Sequence, residues 1–481
     1  MKETESNAEA AQLVRGLTLS GAVAVNMTDM IGVGPFITIP LIVSAMGGPQ
    51  AMLGWIFGAI IAMSDGMVWA ELGGAIPGSG GTYRYLGEMY GRQKLGKLMS
   101  FLFIWQLIFS APLSLASGCI GLAEYSTYFF PSLNHTFFSI AIPLTGSFHS
   151  SLNVNGFTFV AIFACVLAMF LQYRGITIVN RLTKVILAVV VADIAWIIFT
   201  GVAHFNPSIA FDFPKNAFSF DSSFFLGLGS AMLLSLYDYL GYYNVCFLGD
   251  EIKEPAKNAP RAIIISVAIV AIIYLAMNLS IIGVIPWRSL VKGVDTPESH
   301  YVISLMMQKL YGGWAGSLAT ILIMWTAFGS IFSILLGYSR VPYAAAQDGN
   351  FFRVFGRVHP RYKIPYVSLL SLGFFGILFC FLSLTEVIAA LVVIRLIIQF
   401  IAQTVGLLVW RAKAPKSPRP FRMWLYPLPA LVSLAGFLFI LFSRKNFTVE
   451  IRYAAVIFIA GLVVYLVRTF KKRECPFKVA S

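Results

Sequence analysis

Two acids lie in stretches that are otherwise apolar: Asp29 and Asp238. A carboxylate at that depth is costly, so each is a functional candidate by default. One chemistry open to them is fixing a cationic amine; another is carrying a proton. Capping or pairing with exposed helix ends is the plainer alternative. What surrounds them makes such ends plausible. Asp29 precedes Ile31-Gly32-Val33-Gly34-Pro35-Phe36 by about one turn, and Asp238 sits in Ser235-Leu236-Tyr237-Asp238-Tyr239, in a run punctuated by Gly227, Gly229 and Gly241. Proline removes a donor and clashes with the preceding turn, and glycine is a poor helix former. Both runs are therefore expected to break as helices and free backbone N–H and C=O groups. In a membrane only protein, water or a ligand can satisfy such groups. The competing reading is that the glycines simply let helices pack closely.

Other polar residues are sparse. Arg395, Gln399 and Gln403 fall at i, i+4 and i+8, a single stripe. The stripe must face protein, where it lines a pathway, repels cations, or anchors Glu386 or another helix. Asp65 and Asp193 pair with Lys184 or face a polar seam. Glu71, Glu251, Arg340 and Asp348 lie near helix ends, as an inner ion-pair gate or as solvated loop charges. No HExxH, GxSxG or Walker pattern is present, which argues against a membrane hydrolase and against an ATP-driven pump. The five cysteines are dispersed without a CxxC, so neither a metal site nor a disulfide framework is indicated.

The elements that must hold these groups are long apolar runs. Of 481 residues, 58% are hydrophobic and 12% charged, well under the quarter usual for soluble chains. Windows long enough to cross ~30 Å of hydrocarbon fall near 20–45, 50–73, 97–125, 155–172, 184–203, 223–248, 261–285, 315–340, 364–383, 386–410, 424–442 and 451–468. That predicts an all-α membrane protein with about twelve transmembrane helices. The net charge of +14 is spread over short loops rather than clustered on a basic face, so no nucleic-acid partner is expected. With the N-terminus inside, 27 of the 35 basic residues are cytoplasmic, seven are outside and Arg395 is within a span. The positive-inside rule then puts both termini in the cytoplasm, which needs an even number of spans. The polar stretch before the first span reads as a cytoplasmic tail rather than a cleaved signal.

The interrupted runs are the first and the sixth, five spans apart. Broken helices at matching places in two halves are the best sequence pointer to a mid-membrane site. At these residues the chain resembles the amino acid–polyamine–organocation (APC) superfamily. Ile31-Gly32-Val33-Gly34-Pro35-Phe36 is similar to its I-G-S-G-I-F signature, departing at Val33 and Pro35. Ala70-Glu71-Leu72-Gly73 with Pro77 through Leu86 resembles the stretch after its second helix. Gly249 through Ala262 resembles the segment after its sixth, and Ser339-Arg340 through Arg361 the loop after its eighth.

The resemblance implies a LeuT-like 5+5 inverted repeat with discontinuous first and sixth helices plus two peripheral helices. Residues 1–19 would be a cytoplasmic tail, 20–203 the first repeat, 223–410 the second, 424–468 the peripheral pair and 469–481 the second tail. It implies a permease moving amino acids across the plasma membrane by alternating access; the lack of a signal peptide fits a bacterial inner membrane or a eukaryotic plasma membrane, and the short tails favour the bacterial one. No cofactor is expected; an ion gradient, protons first, would drive symport or exchange. Gly32, Val33 and Gly34, with Ile31 beside them, would face a substrate carboxylate. Tyr237 would be the gate aromatic, Leu240 and Gly241 the carbonyl end, and Asp29 and Asp238 neighbours of the site. Leu187 stands where some proton-coupled relatives carry lysine, with Lys184 one turn earlier. A polyamine or cationic amine carrier and an amino acid sensor or channel without turnover are the alternatives. The partners expected are a small amino acid or amine and membrane lipid, with the oligomeric state open.

Overall fold

The computed structural model describes residues 13–91, 95–143, 149–174, 176–291, 301–443 and 447–471. The first apolar run is two helices, α1 (Leu19–Met30) and α2 (Gly34–Met46), bent by 42° across Ile31–Val33. Thr18 caps α1 by accepting from the N–H of Gly21, and Pro35 sits in the first turn of α2, where its missing N–H costs nothing. Then come α3 (Met52–Ala75), α4 (Thr82–Met89) and α5 (Leu95–Ser126). A β-hairpin, β1 (Thr136–Pro143) with antiparallel β2 (His149–Asn155), leads into α6 (Gly156–Gln172), α7 (Ile176–Ala203) and the single turn α8 (Pro207–Ala210). Asn155 and Thr158 form a reciprocal capping box at the start of α6.

The second half repeats the motif of interruption. Helix α9 (Ser222–Tyr239) starts on an Asp221 cap, stops before Leu240 and resumes as the short α10 (Asn244–Phe247). It continues with α11 (Pro255–Ile282), α12 (Trp287–Val291), α13 (Val302–Tyr311), α14 (Gly313–Tyr338), α15 (Arg340–Gln347) and α16 (Tyr366–Phe379). Helix α17 (Leu384–Arg395), capped by Ser383 and Glu386, passes through a π-helical stretch at Leu396–Ala402 into α18 (Gln403–Lys413). Helices α19 (Leu428–Phe442) and α20 (Phe447–Lys471) complete the described chain. Among the described residues, six helices are long and apolar enough to cross a membrane, and the bent pair makes a seventh; four more apolar helices are shorter.

The helices sort into two packed groups. Helices α1, α2, α3, α9 and α11 pack on one another; α5, α6, α14 and α16 form the other group, with α17 laid against α5 and α7 touching α1, α11 and α14. Helix α19 lies on α3, and α20 on α5. The structure departs from the sequence reading in four places. The hairpin replaces a plain loop, and α7 begins at Ile176, eight residues earlier than read. The sixth-run break falls at Leu240–Tyr243 rather than around Ser235–Tyr239, because Ser235 and Asp238 are polar without being breakers. The tenth run is not a plain α-helix, because it carries the π-helical stretch.

Candidate functional site

The two breaks meet. Gly34 and Gly241 have to be glycines for that meeting. A Cβ on Gly34 would come within 2.7 Å of Asp238 Oδ1 and 3.0 Å of the Tyr237 ring. Gly241 has φ +120°, and its Cβ would lie 2.8 to 2.9 Å from the backbone of Met30 and Asp29. Side chains from neighbouring helices hold the junction. Asn26 donates to the Tyr242 carbonyl at 2.6 Å and accepts from the Val245 N–H at 2.9 Å. Asn244 donates to Ser333 O at 2.8 Å. Tyr274 on α11 reaches both breaks, 2.6 Å from the carbonyl of Met30 and 3.3 Å from that of Asp238. Among the described residues, the N–H groups of Val33 and Gly34 meet no main-chain acceptor. They begin α2, where the helix dipole adds partial positive charge.

A cavity of about 40 Å³ lies against this junction. At ~10–15 Å³ for each water-sized group, it holds about three such groups. Of the residues singled out from sequence, Asp29, Gly32, Val33, Gly34, Tyr237, Leu240, Gly241 and Arg395 line it. Ile31 and Asp238 do not. Ile31 is buried in the core at the end of α1. Asp238, still inside α9, is turned to α2, where Thr38 donates to its Oδ2 at 2.7 Å while its Oδ1, beside Gly34, has no partner. The sequence reading missed Ser114, Ser117 and Gly118 on α5, Ser330, Ile334 and Tyr338 on α14, and Leu391 on α17. The spacing Ser110, Ser114, Ser117 on one face of an apolar helix was a usable signal.

Arg395 is 1% exposed. Its Nη1 donates to Tyr243 Oη at 2.9 Å, and its Nη2 to Ser110 O at 3.1 Å and Ser114 Oγ at 2.7 Å. The guanidinium lies 4.9 Å from the centre of the Tyr338 ring. Its Nε has no partner, and neither has Asp29 Oδ2. The stripe does not act as one surface. Gln403, past the π-helical stretch, accepts from Thr82 Oγ1 at 2.6 Å, and Glu386 caps its own helix rather than meeting Arg395. Asp65 accepts from Tyr242 Oη at 2.6 Å, while Lys184 is exposed and pairs with neither Asp65 nor Asp193.

At the end of the bundle where α1 begins, Glu251 and Arg340 form a buried ion pair, Nε to Oε1 2.6 Å and Nη2 to Oε2 3.4 Å. The backbone of Leu17 straps across it, donating to Glu251 O and accepting from the Lys253 N–H, both at 2.9 Å. The expected gate loses two members. Glu71 faces the last turn of α18 and the chain after it, where it pairs with Arg411 and Arg419 and accepts from the Met423 N–H at 2.8 Å. Asp348 is exposed at the end of α15. Toward the opposite end, a cavity of about 210 Å³ lies between Ile37, Pro40 and Leu41 of α2 and Leu384 and Ile388 of α17.

Comparison with known proteins adds a family. The family described as "Amino acid permease" matches residues 17–465. The chain is similar to the branched-chain amino acid permease BcaP of Bacillus subtilis, at 26% identity over 92% of this chain and 91% of that one. The serine/threonine exchanger SteT of the same organism is 26% identical over 96% and 98%. A methylthioribose transporter, also from that organism, is 24% identical over 98% and 97%. The family and these relatives are transporters, not enzymes.

Proposed function

Because the chain belongs to the amino acid permease family, we propose that this multi-pass membrane protein is a secondary active transporter that carries amino acids across the plasma membrane by alternating access. The observation that carries the reading is the pair of unmatched N–H groups, Val33 and Gly34, on residues that line a small cavity beside a second broken helix. The α-carboxylate is taken by those amides. The α-ammonium is taken by the last carbonyls of α9 and by Asp29, whose Oδ2 is unpartnered. Tyr237 packs on Gly34 and screens the site.

The arrangement fits two inverted repeats of five spans, each with a broken first member, followed by α19 and α20 as peripheral helices. The two packed groups would rock against each other around the junction. By the distribution of basic residues, the Glu251–Arg340 end is cytoplasmic. The ion pair then closes the inner side, and the cavity between α2 and α17 lies on the outer path. Coupling is assigned to protons, with Asp29 as the carrier, in symport or in exchange. Asp29 alone would favour a cationic amine or polyamine, but the fixed guanidinium of Arg395 in the same cavity opposes one.

Counterflow in proteoliposomes tests the reading. Internal unlabelled amino acid must accelerate entry of labelled amino acid; a channel or a sensor shows no such trans-acceleration. Failure with all twenty amino acids would sink the proposal.

A further inference from the structure

We infer that the site selects amino acids with short side chains ending in an oxygen acceptor, namely hydroxyl, carboxamide or carboxylate, and that Arg395 Nε receives that oxygen. The inference rests on the carrier reading above and deepens it to a substrate class.

A membrane arginine ordinarily escapes by stretching its stem toward water, but Arg395 is fixed. Tyr243, Ser110 and Ser114 hold its two terminal nitrogens, and the Tyr338 ring lies against its plane. Those bonds leave Nε, a buried charged donor, with no acceptor. Asp29, a second lining residue, carries in Oδ2 an acceptor with no donor. The two do not pair with each other. A buried polar group is normally satisfied; both residues line the cavity, and both atoms are covered until it widens.

The remaining groups apportion the ligand. Val33 and Gly34 amides suit the α-carboxylate, and Asp29 with the end of α9 suits the ammonium. What is left for the side chain is the wall of Ser114, Ser117, Ile334 and Arg395. Ser117 spends its proton on Ser114 O at 2.8 Å and Ser114 Oγ accepts from Arg395, so the wall's unspent donors are the Ser114 hydroxyl proton and, the one that carries charge, Nε. A lysine or polyamine nitrogen would meet a guanidinium at contact, at low dielectric. A valine or leucine side chain would bury Nε without serving it, and sites built to bond a substrate polar group reject the analogue that lacks it. Size acts in the same direction: a cavity of about 40 Å³ must widen for any amino acid, and least for a short one.

Matched pairs of equal shape give the test. Purified full-length protein in proteoliposomes is assayed for counterflow of labelled threonine against valine, asparagine against leucine, and lysine. Threonine and asparagine are expected to exceed their partners at least ~10-fold, with lysine near background. In Arg395→Gln the threonine-to-valine ratio should fall toward one, whatever the absolute rate. Valine or leucine equal to its partner, or lysine transported well, overturns the inference. So does a ratio unchanged in Arg395→Gln. If that variant does not fold, the wild-type ratios decide alone. Absence of counterflow with every amino acid refutes the carrier reading, and this inference with it; transport of the wrong class refutes this inference only.

Discussion

Glu251→Gln should open the inner side. Arg340 and Glu251 are 2% and 1% exposed and meet through two nitrogen–oxygen contacts, the shorter at 2.6 Å. At an effective dielectric of ~20, that contact has a Coulomb energy of about 6 kcal/mol, much of it offset by the cost of removing both charges from water. Deleting one partner leaves the other buried and unpaired, which costs about 3–5 kcal/mol, a factor of about 10² to 10⁴ at ~1.4 kcal/mol per decade. A closed state held at roughly 99:1 would fall below even odds, since complete reversal needs only about 5.5 kcal/mol. Cys246 on α10, buried five residues before Glu251, is a native reporter. With Cys475 replaced by serine, membrane-impermeant maleimide is applied to inside-out vesicles and modification of Cys246 is followed by peptide mass spectrometry. Glu251→Gln should raise the modification rate ~100-fold or more. The charge swap Glu251→Arg with Arg340→Glu should bring it most of the way back. A rate within ~3-fold of wild type for the single variant, or a swap labelled as fast as the single variant, would refute the closure assigned to this pair.

Four further outcomes are expected. Gly241→Ala forces a side chain to φ +120° and against the Met30 backbone, a strain of about 1–3 kcal/mol before any clash; counterflow should drop at least ~10-fold, and wild-type rates would refute the close approach. Asp29→Asn should abolish stimulation of uptake by an imposed proton gradient, whereas Asp238→Asn, which keeps an acceptor for Thr38, should retain it; the reverse pattern in a pH-jump uptake assay would reassign the proton. Glu71→Gln should lower the melting midpoint in detergent without speeding Cys246 modification, because its arginine partners tie α3 to α18 and the chain after it. Asp221 is held below the usual carboxylate range by the Ser223 hydroxyl and the Phe224 N–H it caps. Its contribution is present above the ordinary aspartate range and lost as pH falls through its lowered pKa, so the melting difference between wild type and Asp221→Ala should shrink at acid pH.

Local chemistry was the legible part. The first break could be placed at Ile31–Val33 because glycine and proline act on their own turn. The second falls at Leu240 and Gly241, where glycine again marks it, but Asp238, expected inside it, stays helical. In the folded chain it and Ser235 find acceptors or donors across the helix interface, Ser235 on Gly54 O at 2.7 Å and Asp238 on Thr38, and α9 runs on to Tyr239. The hairpin was legible only in part: Thr136–Pro143 and His149–Asn155 alternate polar and apolar residues over a few positions, a weak pattern beside the long apolar runs. Partner choice was not legible. Glu71 and Arg411 are 340 positions apart, and only the packing of α3 and α18 decides that Glu71 meets Arg411 rather than Arg340. The serines of α5 were overlooked because single hydroxyls barely lower the apolar signal of a span.

Tyr274 has a consequence of its own. A phenol has one hydrogen to give, yet its oxygen lies within reach of two carbonyls, at 2.6 Å for Met30 and 3.3 Å for Asp238. Only one of them can be served at any instant, and here the nearer is Met30's. A relative slide of the half-helices by less than an ångström would exchange the roles. An arriving ammonium that satisfied one carbonyl would release the phenolic proton to the other, so filling the site would alter how firmly α1 and α9 are each tied to α11.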